Sequence, residues 1–293
     1  MKIMKSTLLQ QKQFRNFFIS DIISGFGVGL TTVGANWYVL EQTNSDSIVG
    51  TFLVINVLAG FLISPIAGYV TDKFTRRNVI IGTFLIRAVP LGIIAACLVL
   101  FKFNLLEMYA LAMVTGVGWV AYMAASRSYI QSIVPQKLLG STNSFIEVSL
   151  QVGMFLAGGL SGFLLKYTGF IAILIINIIL FIVAIILMFN SPVDQLEKTG
   201  AKDNASHGSV IKYLRKHRLV LFLGILSVLP LLVTQLFNVS MPGYISHILH
   251  ASSVSYGTTD MFYGIGVLVA GLITAKLLEK MTKKFINRFF LNC

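Results

Sequence analysis

Eight apolar runs, each about as long as a membrane is thick, constrain this chain more than any other feature. They are Phe17–Leu40, Ile48–Thr71, Val79–Leu100, Leu105–Ala125, Ser144–Leu165, Gly169–Met188, Leu219–Ile245 and Tyr256–Leu277. A helix needs about 20 predominantly apolar residues to cross the hydrocarbon core. Inside lipid every backbone N–H and C=O must find a partner within the protein, which leaves helices or a closed barrel. A barrel would alternate polar and apolar residues in segments of about 10, and these runs do not. The chain is therefore read as an all-α polytopic membrane protein. Only 12% of its 293 residues are charged, about half the share in soluble domains.

The charges that exist are biased in sign and in place. The formal net charge is +12. In a soluble chain that excess would point to nucleic acid, but here the basic residues flank apolar runs. Topology and anionic headgroups explain them, so the expected partners are membrane lipids and not nucleic acid. With the N-terminus inside, twenty Lys and Arg fall on the inner side and two, Lys102 and Lys166, on the outer side; Arg87 is inside a helix. The positive-inside rule thus places both termini in the cytoplasm of a multi-pass protein of the cell membrane. The first apolar run is too long for a signal-peptide core and no small-residue cleavage pattern closes it. Cys97 and Cys293 form neither a metal-ligand spacing nor a disulfide framework.

A dense charge cluster between the second and third runs returns near the other end. Asp72-Lys73-Phe74-Thr75-Arg76-Arg77, shifted by 207 positions, overlays Glu279-Lys280-Met281-Thr282-Lys283-Lys284. On the same shift Gly50-Thr51 falls on Gly257-Thr258, and Trp37 on Tyr244. Collecting basic residues at cytoplasmic helix ends explains the charges but not their order. A repeat of this length means two copies of one multi-helix unit. The stretch Asn190–Arg218 divides them: a flexible linker followed by a short basic amphipathic segment from Val210 to Arg218. The expected organisation is a six-helix N-terminal bundle over 1–189, a cytoplasmic linker over 190–218, and a partial second bundle of two helices over 219–293.

Gly68-x-x-x-Asp72-Lys73-x-Thr75-Arg76-Arg77 resembles the loop between the second and third helices of major facilitator superfamily transporters, G-x-x-x-D-[RK]-x-G-[RK]-[RK]. Thr75 stands where the family usually has Gly. Phe14-Arg15-Asn16-Phe17, Trp37-Tyr38-Val39-Leu40 and Arg127…Pro135…Asn143 are similar to the macrolide-efflux and enterobactin-export branch. The resemblance covers Phe14 to about Lys284 and implies a secondary transporter. It also implies that Gly68, Asp72, Lys73, Arg76 and Arg77 form an inner-gate loop, with Asp72 near the start of an eleventh helix. Family members have twelve spanning helices and this chain has eight.

Intramembrane charges are the next candidates, because each is costly unless paired or hydrated. Asp21 lies roughly 6 Å into the first run and Arg87 roughly 12 Å into the third at 1.5 Å per residue. Glu147 lies near the start of the fifth. All three are on the inner half, where they could pair. They read as a coupling or substrate site, or as an inner-gate ion pair and solvated helix ends. Asp260, near the outer end of the eighth run, is expected to be solvated. On the fifth run Gly158 and Gly162 share one face, with Gly153 a turn before, where backbones can approach closely. This region is similar to the family's antiporter motif, with Ala157-Gly158 in place of a Gly-Pro pair. The first and seventh runs carry uncharged polar residues, Thr31, Thr32 and Asn36, and Gln235 and Asn238. By resemblance these runs line a central cavity, so the five are the candidate substrate path.

Enzyme chemistry finds no support in these residues. Gly159-Leu160-Ser161-Gly162 imitates an intramembrane protease motif, but a serine nucleophile needs a base. His207, His217, His247 and His250 all fall in loops or at helix ends. There is no phosphate-binding G-x-x-x-x-G-K-[ST] loop, no metal set and no cofactor motif. The expected function is ion-coupled export of a small amphiphilic drug or siderophore by alternating access. The alternative is a shortened product that inserts but needs a separate C-terminal fragment, or self-association, to transport. A membrane enzyme is the remaining alternative.

Overall fold

The computed structural model describes residues 10–101, 103–191, 222, 226, 229–270 and 273. Six long helices come first: α1 (Lys12–Thr43), α2 (Asp46–Lys73), α3 (Arg76–Leu100), α4 (Leu105–Ile133), α5 (Leu139–Thr168) and α6 (Phe170–Phe189). All six are long and apolar enough to cross a membrane. Then come α7 (Leu229–Gly243), a π turn over Tyr244–Ile248, and α8, described over 253–270. Eight helices therefore stand where eight apolar runs predict them. The linker 192–218 and the second charge cluster at Glu279–Lys284 lie outside the described residues.

The helices are longer than the runs that announce them. α1 has 32 residues, about 48 Å at 1.5 Å per residue, against a hydrocarbon core of about 30 Å. Polar residues are helical at its ends: Asn16 is buried near the first turn, and Thr43 Oγ1 donates to the Val39 carbonyl at 2.7 Å. The largest difference is at α4, which runs to Ile133 and not to Ala125. Arg127, expected in a loop, is thus a helical residue in the last two turns.

Packing within the first six helices has a hidden symmetry. α1 packs on α5 and α6; α4 packs on α2 and α3; α3 also meets α6. Exchanging α1–α3 with α4–α6 leaves this set of pairs unchanged. A shift of 90 residues lays α1, α2 and α3 over α4, α5 and α6. An odd number of helices inverts the second copy in the membrane, so the bundle is an inverted repeat of three-helix units. Glycine makes the equivalent contacts possible. A Cβ on Gly29 would overlap the Met154 carbonyl of α5, and one on Gly116 would overlap the Asn56 carbonyl of α2. Both helix pairs therefore approach backbone to backbone, the geometry that stabilises helix pairs where lipid offers no hydrophobic drive.

The 207-residue shift has one trace among the described residues. Asp46 begins α2, and 253, which is 207 residues on, begins the helical stretch of α8. The turn before each contains a left-handed residue, Asn44 (φ 51°) and His250 (φ 50°); these are the non-glycine residues with positive φ among those described. Asn tolerates that conformation well and His less so. The outward surface of the bundle is apolar, including Phe61 and Leu62 on α2 and Val89 and Ile93 on α3, as lipid contact requires.

Candidate functional site

The polar interior of the six-helix bundle is built by α1, α3, α4 and α6. Asp21 on α1 is buried, and its Oδ1 accepts a 2.5 Å hydrogen bond from the Tyr122 hydroxyl of α4. Its Oδ2 is buried without a hydrogen-bond partner. Ser24, one turn further along α1, accepts a 3.3 Å bond from Nη1 of Arg87 on α3. The Arg87 guanidinium lies 4.4 Å from the ring centroid of Phe181 on α6, a cation–π contact. Its aliphatic stem fills the space left by Gly118, where a Cβ would overlap it. Tyr122 and Phe181 both pack on Phe84, at 5.3 and 5.9 Å. Four helices thus converge on one carboxylate and one guanidinium that do not form an ion pair with each other.

Glu147 takes a different partner. It forms an ion pair with Arg127 across α4 and α5, and its Oε1 accepts from Gln151 at 3.1 Å. Both members are partly exposed, at 34% and 44%, so the pair sits at the edge of the bundle and not in its interior. Asp21, Arg87 and Glu147 therefore divide into an interior pair of sites and a rim ion pair. Tyr122 and Arg127 are the members that the sequence does not announce: a lone tyrosine in an apolar run has no signal, and Arg127 reads as a loop charge.

Asn177 is the counterpart of Arg87, 90 residues on. Its Nδ2 donates to the Gly27 carbonyl at 3.0 Å and to Thr31 Oγ1 at 2.5 Å. Thr31 is therefore buried in the α1–α6 contact and Asn36 in the contact of α1 with α8, while Thr32, Gln235 and Asn238 are half-buried. On α7, Thr234 bonds Tyr263 of α8 at 3.0 Å and Phe237 stacks on the same ring at 4.2 Å.

The charge cluster of 68–77 is mostly helix. Gly68, Asp72 and Lys73 end α2, Arg76 and Arg77 begin α3, and Phe74 and Thr75 alone lie between. Thr75 has φ −59°, which needs no glycine and accounts for Thr at that place. Arg76 Nε donates to Ser128 of α4 at 3.0 Å, and Arg77 Nη1 donates to the Ser191 carbonyl beyond α6 at 2.7 Å. These two bonds tie the turn to the first bundle. Gly68 faces open space and Asp72 is exposed. A carboxylate at the end of a helix opposes its dipole, so Asp72 is not placed there for helix stability.

The glycines of α5 look in two directions. Gly153 meets the Ile22 carbonyl of α1, whereas Gly158 and Gly162 meet Asp260, Ser253 and Gly257 of α8. Ser253 Oγ donates to the Gly162 carbonyl at 3.0 Å. Asp260, expected in solvent, is half-buried here because the glycine face of α5 admits α8 so closely. Ser161 Oγ donates to the Leu30 carbonyl at 2.9 Å, which uses the hydroxyl for packing. At the same end Trp37 stacks on Tyr256 at 5.6 Å, with Val33 and Ile245 around them. His247 lies 3.8 Å from Asp46.

Comparison with known proteins agrees with this architecture. The chain is similar to the tetracycline resistance protein, class C, of Escherichia coli, with 27% identity over 161 residues; the match covers 53% of this chain and 39% of that protein. Among solved structures it is similar to a D-xylose-proton symporter, with TM-score 0.65 and 15% identity over 92% of this chain and 70% of that one. It is also similar to an auto-inhibited POT family peptide transporter, with TM-score 0.51 and 18% identity over 86% of this chain and 52% of that one. At these identities the structural likeness shows the fold. The model of the Major Facilitator Superfamily matches residues 17–293, and the chain belongs to that family.

Proposed function

We propose that this chain acts in ion-coupled export of a small amphiphilic compound, drug or siderophore, by alternating access. The observation that carries the proposal is Asp21. A carboxylate at this depth is costly, and it is held by one tyrosine with one oxygen left over. Such a group is suited to gain and lose a cation as the bundle moves. The neighbouring Arg87 lacks a carboxylate partner among the described residues and keeps the local field positive when Asp21 is neutral. The tetracycline resistance relative supports export of an amphiphile.

In this reading residues 1–189 and 219–293 are the moving units, joined by the cytoplasmic linker. The twenty-to-two bias of basic residues puts both termini in the cytoplasm and the α1–α2 turn outside. Asp72 is the free member of an inner latch whose Arg76 and Arg77 are already anchored. Half-buried Thr32, Gln235 and Asn238 face the solute path, and Arg127–Glu147 closes its inner rim. The test is uptake of tetracycline and a macrolide panel into energised everted vesicles carrying the chain. Uptake should collapse with a protonophore or a sodium ionophore and fall to background in Asp21→Asn. Uptake that ignores both ionophores, or a fully active Asp21→Asn variant, would contradict the proposal.

A further inference from the structure

The interface of α1, α5 and α8 holds polar groups that the Asp21 site does not use. Asn36 is fully buried, and neither its Oδ1 nor its Nδ2 closes a hydrogen bond. Tyr256 is fully buried, and its hydroxyl meets the Asn36 amide without closing a hydrogen bond of ordinary geometry. The two side chains face each other across the α1–α8 contact, beside the Trp37–Tyr256 stack. Asp260 is one turn further along α8, on the face that carries Tyr256. Its carboxylate lies against Gly158 of α5, with Val33 of α1 on the other side. No basic side chain among the described residues pairs with Asp260.

Buried polar groups without well-formed partners destabilise a closed interface, and this one ends on a carboxylate. The Asn36 amide and the Tyr256 hydroxyl can each donate as well as accept, whereas the Asp260 carboxylate only accepts and has neither a donor nor a positive charge beside it among the described residues. We propose that Asn36, Tyr256 and Asp260 form a monovalent-cation site, taking a proton or a sodium ion, that is assembled when α8 closes on α1 and α5. A proton on the carboxylate turns Asp260 into a donor for a neighbouring oxygen. A sodium ion is a hard cation that the same oxygens suit. Either one neutralises the carboxylate before water is expelled. Separation of α8 from α1 and α5 would return all three groups to water. The cation therefore binds the closed outer end better than the open one, and that difference is what lets it shift the equilibrium. Its role in transport rests on the alternating-access reading above; its binding does not.

Other ionisable side chains lie at this end and must be distinguished. Tyr256 is on α8 itself. Asp46 of α2 and His247 of the π turn, 3.8 Å apart, flank the cluster. α5 presents Gly158, Ser161 and Gly162, and α1 presents Val33, Asn36 and Trp37, none of them charged.

Trp37 is a reporter in place, since the sequence has 2 tryptophans and Trp119→Phe leaves it alone. In nanodiscs, the emission of Trp37 is followed in two titrations: pH in choline chloride, and sodium chloride against choline chloride at fixed pH. A shift in the first arm identifies a proton, and in the second a sodium ion. Asp260→Asn should hold the signal at its cation-loaded end throughout, and Asn36→Ala should weaken the apparent affinity. If Asp260→Asn does not fold by its melting curve, Asn36→Ala and Tyr256→Phe are read in the same way. No shift in either arm, or an Asp260→Asn variant that titrates like its parent, would overturn the site. So would a response lost in His247→Ala but kept in Asp260→Asn, because it would belong to Asp46–His247. An intact Trp37 response without vesicle uptake would sink the export reading and leave the site standing; uptake without the response would do the reverse.

Discussion

Arg87 and Asn177 show how single residues divide structure from function in this bundle. They occupy equivalent places in the two three-helix units, yet the Asn177 amide nitrogen closes two hydrogen bonds, with Oδ1 left unpaired, whereas Arg87 closes one, to Ser24. The Asn177 amide donates to α1 twice, and interhelical bonds of this kind are worth about 1 kcal/mol. Asn177→Ala should therefore lower the melting temperature in detergent, with a loss of about 1 kcal/mol. Arg87 has a buried charge without a carboxylate, and replacing buried charges by apolar groups of similar volume is often neutral or stabilising. Arg87→Met should keep or raise the melting temperature while abolishing gradient-driven uptake. A marked fall in melting temperature with normal uptake would make Arg87 a structural residue. Glu147→Gln, by contrast, breaks a half-exposed pair worth less than about 1 kcal/mol, so a melting-temperature change larger than that would show that the rim is dry.

At the scale of the helix, glycine decides which elements touch. Gly29 and Gly116 let α1 and α4 approach the backbones of α5 and α2. Gly29→Val and Gly116→Val should each lower the melting temperature, because the colliding atoms are backbone carbonyls that cannot rotate away. Unchanged melting in both would contradict the close contacts. Helix number was legible in the sequence because lipid forces long apolar runs. Helix ends were not, because α4 continues past Ala125 through Arg127 to Ile133, and polar residues extend a helix there as readily as apolar ones. The 207-residue shift is read from its charged turn, whose second copy lies outside the described residues. The 90-residue repeat was not legible, since its copies are inverted and share packing positions such as Arg87 and Asn177 but no motif. Tyr122 and the burial of Asp260 were equally hidden: both depend on which glycine face meets which helix, and no single run contains that information.

In the whole molecule, the proposed alternating access needs an outer gate, and the α1–α8 contact is the place for it. That contact is held by the Trp37–Tyr256 stack, the Ser253–Gly162 bond and the glycine contacts of α5. These contacts are short and mostly uncharged, so they can reopen without breaking a strong ion pair. The first bundle, by contrast, is tied together at the α2–α3 turn by Arg76 and Arg77, as a unit that rocks against α8 requires. The most direct measurement is the distance between spin labels at Thr43, where α1 ends, and Ser252, just before α8, in a chain whose Cys97 and Cys293 are replaced by Ser. Pulsed electron paramagnetic resonance in nanodiscs should give a short and a long distance population. The short one should grow as the cation is added and in Asp260→Asn. A single unchanging distance under all conditions would contradict an outer gate at α1 and α8, and with it the alternating-access account.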